Sequence, residues 1–398
     1  MEKLGIVADD LTGAMDTSVQ FARRGLPTVI PLVAGEVPPA EVVAISTDSR
    51  GEPAAQAYRR AREAAQQLSG RLLYKKVDST VRGHLGVELD AVLDGLECER
   101  ALVAPAFPSA GRTTVDGYHY VHGTLLAESA FARDPLWPAR ESHLPTLLAR
   151  QTRRQVRHLP LAVVEQGERA VTGALQAEGA CIIVADAVIP AHLRTLALAL
   201  GRAKERWLPC GSAGLAEAWI EALGLARLAA ASIPWGPVAA PVLVIAGSRH
   251  PSTARQLQRA AEGANLGRVD LDLDDRSDHL AAVFGHLRQG RSVALTTTFS
   301  EYRNGQEAAT AQRLARAAVH ILAGVPLAGL VLTGGDVARA VCTALGTKGL
   351  RIVGQVQDGV PAAVLMGGLG DGLRVVTKAG GLGDDQAILQ SIALIQGG

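Results

Sequence analysis

Gly5-Ile6-Val7-Ala8-Asp9-Asp10-Leu11-Thr12-Gly13-Ala14-Met15-Asp16-Thr17 decides the fold class of this 398-residue chain. The short apolar run predicts a buried strand, the paired carboxylates and the Thr-Gly step a turn, and the residues up to Arg24 a helix. A turn of this kind lies at the carboxyl end of its strand, where open α/β sheets bind their ligands. Two adjacent Asp side chains at a strand tip repel each other unless a cation or a substrate hydroxyl sits between them. Capping of the following helix explains one of the pair better than it explains both. Asp9 and Asp10 are therefore the candidate catalytic carboxylates.

The same unit recurs along the chain. Thr28-Val29-Ile30-Pro31-Leu32-Val33 predicts a second strand, and Val42-Val43-Ala44-Ile45-Ser46-Thr47-Asp48-Ser49-Arg50 repeats the apolar run with a polar tip. Residues 52–68 have helix composition. Leu72-Leu73-Tyr74-Lys75-Lys76-Val77-Asp78-Ser79-Thr80-Val81-Arg82-Gly83 ends in two lysines, an Asp, two hydroxyls and an Arg, ahead of a helix over residues 85–96. Ala101-Leu102-Val103-Ala104-Pro105-Ala106-Phe107-Pro108 is a further strand, followed by a turn that carries Arg112 and Thr113. Strands alternating with helices predict a parallel sheet whose tips share one edge. There Asp9, Asp10, Asp48, Arg50, Lys75, Lys76, Asp78, Ser79, Thr80, Arg82, Arg112 and Thr113 line one cleft. Arg and Lys suit a carboxylate or phosphate, and Asp, Ser and Thr suit sugar hydroxyls. Residues 118–157 are irregular, hold three histidines and several aromatics, and read as a lid. Their His spacing matches no zinc pattern.

Residues 231–241 hold three prolines, a glycine and no charge, which predicts a hinge between a first domain (residues 1–230) and a second (residues 242–398). The second domain restarts the alternation at Val242-Leu243-Val244-Ile245-Ala246-Gly247-Ser248. It continues through Ser292-Val293-Ala294-Leu295-Thr296-Thr297-Thr298, Gly329-Leu330-Val331-Leu332-Thr333-Gly334-Gly335-Asp336 and Arg374-Val375-Val376-Thr377-Lys378-Ala379-Gly380-Gly381. Glycine-rich strand-to-helix turns suggest a phosphate cradle of backbone amides and helix dipole. No Walker-type loop and no dinucleotide fingerprint occurs. The predicted class is α/β: two domains, each a mainly parallel sheet flanked by helices, with a cleft between them. One cleft suited to a hydroxylated anion and one to nucleotide phosphates argue for phosphoryl transfer across a hinge, with Asp9 or Asp10 orienting the attacking hydroxyl.

Composition sets the outer limits. Aromatics are only 4% while apolar residues reach 48%, which suits helices packed closely on parallel strands. A formal net charge of +1 gives no polyanion-binding surface, so no nucleic-acid partner is expected. Cys98, Cys181, Cys210 and Cys342 form no CxxC or Cys/His pattern, so a reducing cytoplasm is the expected address. No apolar run approaches the roughly 20 residues of a membrane span, and no signal core precedes the first strand.

Read in chain order, these stretches resemble the four-carbon acid sugar kinases, a family formerly known only as a domain of unknown function. The resemblance is carried by Ala8-Asp9-Asp10-Leu11-Thr12-Gly13, Lys75-Lys76-Val77-Asp78-Ser79-Thr80-Val81-Arg82-Gly83, Ala106-Phe107-Pro108-Ser109-Ala110-Gly111-Arg112, Gly211-Ser212-Ala213-Gly214-Leu215, Gly247-Ser248, Thr333-Gly334-Gly335-Asp336 and Lys378-Ala379-Gly380-Gly381. It implies ATP-dependent phosphorylation of the terminal hydroxyl of threonate, erythronate or an oxo-tetronate. It also implies that Ser248, Gly334, Gly335, Asp336, Val337 and Gly380 or Gly381 contact ATP, and that Asp9, Asp10, Lys76, Asp78, Ser79 and Arg82 meet the acid or the reacting centre. Mg2+ follows from the chemistry, without a dedicated cage. The family often reads Gly-Ser-Cys-Ser where this chain has Gly247-Ser248-Arg249-His250. The alternatives are a non-catalytic sugar-acid sensor, which would leave the glycine-rich turns unexplained, and a nicotinamide-dependent dehydrogenase, which lacks its fingerprint. An apolar face among the Ala-rich helices is compatible with a homodimer.

Overall fold

Short apolar runs bounded by polar turns become strands, and Ala-rich stretches become the helices that cover them. The computed structural model describes residues 3–33, 35, 37–134, 137–177, 179–225, 233, 235–248, 250–271, 279–297 and 307–398. In the first half the order is β1 (Leu4–Ala8), α1 (Leu11–Ala22), β2 (Thr28–Pro31), β3 (Val42–Ser46), α2 (Ala54–Gln67), β4 (Leu72–Lys76), α3 (Leu85–Leu96) and β5 (Ala101–Ala104). There follow β6 (Arg112–Val115), β7 (Tyr118–Val121), β8 (Thr124–Leu125), α4 (Leu144–Ala149), β9 (Val156–Leu159), α5 (Leu161–Glu165), α6 (Glu168–Ala177), β10 (Ile182–Ala185), α7 (Pro190–Arg202), β11 (Leu208–Gly211) and α8 (Ala213–Ala222). The second half runs β12 (Val242–Ala246), α9 (Pro251–Gly263), β13 (Gly267–Asp270), α10 (His279–Arg288), β14 (Val293–Thr296), α11 (Glu307–Gly324), β15 (Gly329–Thr333), α12 (Gly335–Ala344), β16 (Gly349–Gln357), β17 (Val360–Met366), β18 (Arg374–Lys378) and α13 (Ala387–Gln396). The chain divides into two compact units, Met1–Pro27 with Val37–Ala230 and Thr28–Glu36 with Ala231–Gly398.

The sheet of the first unit runs β3-β1-β4-β11-β5-β10-β9, parallel throughout. Its strands β1, β5, β10 and β11 are buried along their whole length, as expected of parallel strands covered on both faces. From β1 the chain goes to β3 on one side and then to β4 on the other. The strand order therefore reverses beside β1, and the crevice at such a reversal is where α/β sheets take ligands. Side chains alternate along β4. Leu73 packs with Leu89 of α3 in the core, whereas Tyr74 turns to the opposite face against Trp219 of α8, 5.7 Å between ring centroids.

The stretch that reads as irregular opens with β7 and β8, which with β6 just before it form a small antiparallel sheet, β6-β7-β8. Its two turns are Asp116-Gly117 (φ 49° and 75°) and His122-Gly123 (φ 49° and 80°), two-residue turns with both central residues left-handed. The Asp-Gly pair is a hairpin signal that the sequence does carry.

In the second unit β13-β14-β12-β15-β18 are parallel, and β17, β16 and β2 continue the sheet antiparallel. Here too the order reverses, from β13 and β14 on one side of β12 to β15 and β18 on the other. Strand β2 pairs with β16, Thr28 opposite Ile352 and Pro31 opposite Gly349. A linear reading leaves residues 28–36 with the first domain; their pairing partner comes from far along the chain, which no local pattern reveals. Of the stretch read as a hinge, residues 231, 232 and 234 lie outside the described residues. The others lie along the second unit, with Val238 N donating to Gln396 O at 3.0 Å and Arg374 stacked 5.4 Å over the Trp235 ring. No described helix is long and apolar enough to cross a membrane.

Candidate functional site

In the first unit the β1 tip delivers Asp9 and Asp10, and the cation that such a pair requires is Arg50, from the turn after β3. Its guanidinium donates to Asp9 through Nε at 2.7 Å and NH2 at 3.0 Å, and reaches Asp10 Oδ2 through NH1 at 2.9 Å. The two carboxylates differ in access, with side-chain exposure of 5% for Asp9 and 24% for Asp10. Burial pushes the Asp9 carboxyl up, but the charge and hydrogen bonds of Arg50, followed by Lys75 and Lys76, outweigh it and hold Asp9 below the usual carboxylate range. Asp10 also caps α1, accepting from Gly13 N and from Thr12 Oγ1, each at 2.8 Å. Gly13 has no room for a side chain: a Cβ there would lie 2.6 Å from Asp10 Oδ1 and 3.2 Å from Lys76 Nζ. Lys76 is thereby placed beside the capped Asp10.

Alternation separates the two lysines of β4. Lys75, on the α3 face, is fully buried and pairs with Glu88 at 2.7 Å; Glu88 accepts from Ser49 Oγ at 2.7 Å, and Ser49 N donates to Asp9 O at 3.0 Å. This buried chain anchors the backbone that carries Arg50. Beyond β4, Asp78 accepts from Arg82 Nε at 2.5 Å and from Thr80 Oγ1 at 2.6 Å. Burial alone would raise its carboxyl, and Arg82 with Arg50 instead drives it well below the ordinary value. Arg82 also reaches Asp134 at 3.4 Å and stacks 5.6 Å over the Phe131 ring. Ser79 is held through its carbonyl, which accepts from His119 Nε2 at 2.8 Å, while His119 Nδ1 accepts from Thr114 Oγ1 at 3.0 Å. Burial pushes His119 down to about 4, so it stays neutral. Arg112 brings a guanidinium whose Nε is buried without a hydrogen-bond partner. Asp9, Asp10, Lys76, Asp78, Ser79 and Arg82 thus occupy the tips of β1 and β4, around Arg50. The sequence puts Arg50 at the same sheet edge as the carboxylate pair, but its role as their bridge, and the support from Glu88 and His119, are not legible locally.

In the second unit the β12 and β15 tips flank the strand-order reversal. Ser248 Oγ accepts from His250 N at 3.3 Å, and Gly380 comes so close that a Cβ on it would lie 2.0 Å from that oxygen. Gly334 is the N-cap of α12 with φ 96°, a left-handed conformation that favours glycine, and it contributes no side chain to cap the helix. Gly335 and Asp336 form the first turn, and Val337 is buried against Gly247. The predicted nucleotide contacts therefore gather around the ends of β12, β15 and β18. The carboxylate of the Gly381-Leu382-Gly383-Asp384 turn is engaged locally, accepting from Gln357 Nε2 at 2.7 Å and Gln386 N at 2.8 Å.

Residues 4–219 match the family described as Sugar-binding N-terminal domain, and residues 243–388 match the one described as Nucleotide-binding C-terminal domain. The chain is 34% identical to the D-threonate kinase of Salmonella typhimurium, over 92% of this chain and 91% of that one. It is also 34% identical to the D-erythronate kinase of Heliobacterium modesticaldum, with the same coverage. The chain belongs to the four-carbon acid sugar kinase family. A crystal structure of a Salmonella typhimurium LT2 protein shares the fold, with TM-score 0.82 and 27% identity over 98% of this chain and 99% of that one. Of the Arg249-His250 pair that stands where the resemblance implies Cys-Ser, Arg249 lies outside the described residues. His250 takes over the capping task expected of a serine: its Nδ1 accepts from Ser252 N at 3.2 Å at the start of α9. That bond needs a neutral ring, and burial, Lys378 and Arg255 all lower the His250 pKa.

Proposed function

We propose that this kinase transfers the γ-phosphoryl group of ATP to the terminal hydroxyl of D-threonate or D-erythronate. The observation that carries the reading is the Asp9–Arg50–Asp10 arrangement. It fixes one carboxylate as a buried anchor and leaves the other oriented by three donors yet open on one side. Asp10 would accept the hydrogen bond of the attacking hydroxyl and take its proton as the O–Pγ bond forms, while the bond from Pγ to the bridging oxygen breaks and ADP leaves. The reaction is mostly positioning and charge neutralisation, so the surplus donors matter. Lys76, Arg82 and the unpaired Nε of Arg112 suit the acid's carboxylate, and the Ser79 and Asp78 region suits its hydroxyls. The nucleotide falls to Ser248, Gly334, Gly335, Asp336, Val337, Gly380 and Gly381, through backbone amides and an uncapped helix start. Kinases hold Mg2+ with phosphate oxygens, water and one or two carboxylates. No three His, Cys, Asp or Glu side chains converge as a cage among the described residues, and Asp336 beside Gly335 is the candidate carboxylate. Bound, the ion would neutralise phosphate charge.

A coupled ADP-release assay with Mg-ATP against threonate, erythronate and oxo-tetronate isomers tests this. Turnover with one isomer that vanishes in Asp10→Asn is the expected result. Absence of turnover with every isomer, or an Asp10→Asn variant as active as the parent, overturns it.

A further inference from the structure

At the end of β18 stands Lys378, a fully buried side chain with no carboxylate within 4 Å among the described residues. Its Nζ donates to Ala379 O at 2.9 Å and Gly380 O at 3.1 Å, the carbonyls of the loop that passes over Ser248. Thr253 Oγ1 donates to the same Gly380 carbonyl at 3.1 Å, so these oxygens are pulled inward from two sides. In a trans peptide the N–H points opposite to the carbonyl. Drawing the carbonyls of Ala379 and Gly380 toward Lys378 therefore turns the amides of Gly380 and Gly381 to the other side of the loop. A second observation lies alongside. Thr333, the parallel-register partner of Lys378 on β15, is fully buried and its hydroxyl has no hydrogen-bond partner. Residues paired across a parallel ladder share a face. A buried cation without a counter-ion and a buried hydroxyl without a partner thus sit side by side at the point where β15 passes into Gly334 and α12. Each is costly left alone, and the charge of an anion bound at these turns offsets the uncompensated lysine.

We infer that Lys378 is a positioning residue for nucleotide phosphate: it orients the Gly380 and Gly381 amides outward and supplies the uncompensated positive charge beneath them. The inference rests on the nucleotide-binding assignment of the second unit. Burial lowers Lys378 to about 8, so its charge is present at neutral pH and is lost above that value. Anion binding favours the protonated lysine, and nucleotide affinity therefore falls as pH rises through 8. His250 on α9 faces these turns, and burial, Lys378 and Arg255 lower its pKa; the other charged side chains of the adjoining segments are Asp336, Asp384 and Arg255.

The test is calorimetric titration of the full chain with MgADP and with adenosine, at pH 7.5 and 9.5, for the parent and for Lys378→Met. The parent is expected to lose about tenfold in ADP affinity between the two pH values, the factor that ~1.4 kcal/mol represents. Lys378→Met is expected to bind ADP at least about tenfold more weakly at pH 7.5, with no further loss at pH 9.5 and adenosine affinity within about twofold of the parent. A Met variant that binds ADP like the parent, or that loses ADP and adenosine equally, overturns the inference. So does a flat pH profile in the parent, which decides the matter even if the variant fails to fold. A parent that binds neither ligand overturns the nucleotide assignment itself, and the inference with it.

Discussion

Replacing Glu88 by Gln strands a buried charge. Lys75 Nζ lies 2.7 Å from Glu88 Oε2, and the two side chains are 1% and 2% exposed. At that separation, with an effective dielectric near 20, the Coulomb attraction is about 6 kcal/mol, an upper bound because the amide oxygen retains a hydrogen bond. Removing one partner of a buried pair costs about 3–5 kcal/mol. The expected loss for Glu88→Gln is therefore ~3–4 kcal/mol, at the low end because the amide conserves shape. Urea denaturation of the full chain, followed by tryptophan fluorescence and far-UV circular dichroism, measures it. The double variant Lys75→Met with Glu88→Leu, which replaces the pair by apolar groups of similar length, is expected to recover most of the loss. Activity should fall in the single variant beyond what instability explains, because Ser49 bonds both Glu88 and the Asp9 carbonyl and adjoins Arg50. A Glu88→Gln chain within ~0.5 kcal/mol of the parent, in the range of surface substitutions, refutes the argument that this pair anchors the site.

Three further outcomes are expected. His119 is neutral and buried with its pKa lowered to about 4 from 6.5, so stability is complete above 6.5 and declines as pH falls from there toward 4; the shift corresponds to about 3 kcal/mol, and His119→Asn should abolish that part of the acid dependence measured in urea. His250→Ser should preserve nucleotide affinity, since serine can cap α9, whereas His250→Ala should lower stability by ~1 kcal/mol in denaturation measurements. Gly380→Ala, whose Cβ would fall 2.0 Å from Ser248 Oγ, should weaken ADP binding by calorimetry while leaving sugar-acid binding unchanged.

Much of this protein was determined by local sequence. Apolar runs ending in polar tips specify parallel strands, because strands covered on both faces must be apolar throughout and their turns must be polar; this is why local sequence alone puts Asp9, Asp10, Lys76, Asp78 and the Gly334-Gly335 turn at strand ends. The second strand of the chain shows the limit. Thr28–Pro31 is recognisable as a strand, yet its pairing with β16 is a contact between distant segments, so only the folded chain assigns it to the second unit. The same holds within the sites. Sequence places two carboxylates at one tip, and tertiary structure decides that Arg50 bridges them, that Asp9 is buried and Asp10 open, and that Lys75 and Lys76, adjacent in the chain, serve opposite faces of one strand. Charge and residue type travel with the sequence; which charges meet, and how far from water, depends on the three-dimensional packing of strands that the chain brings together from far apart.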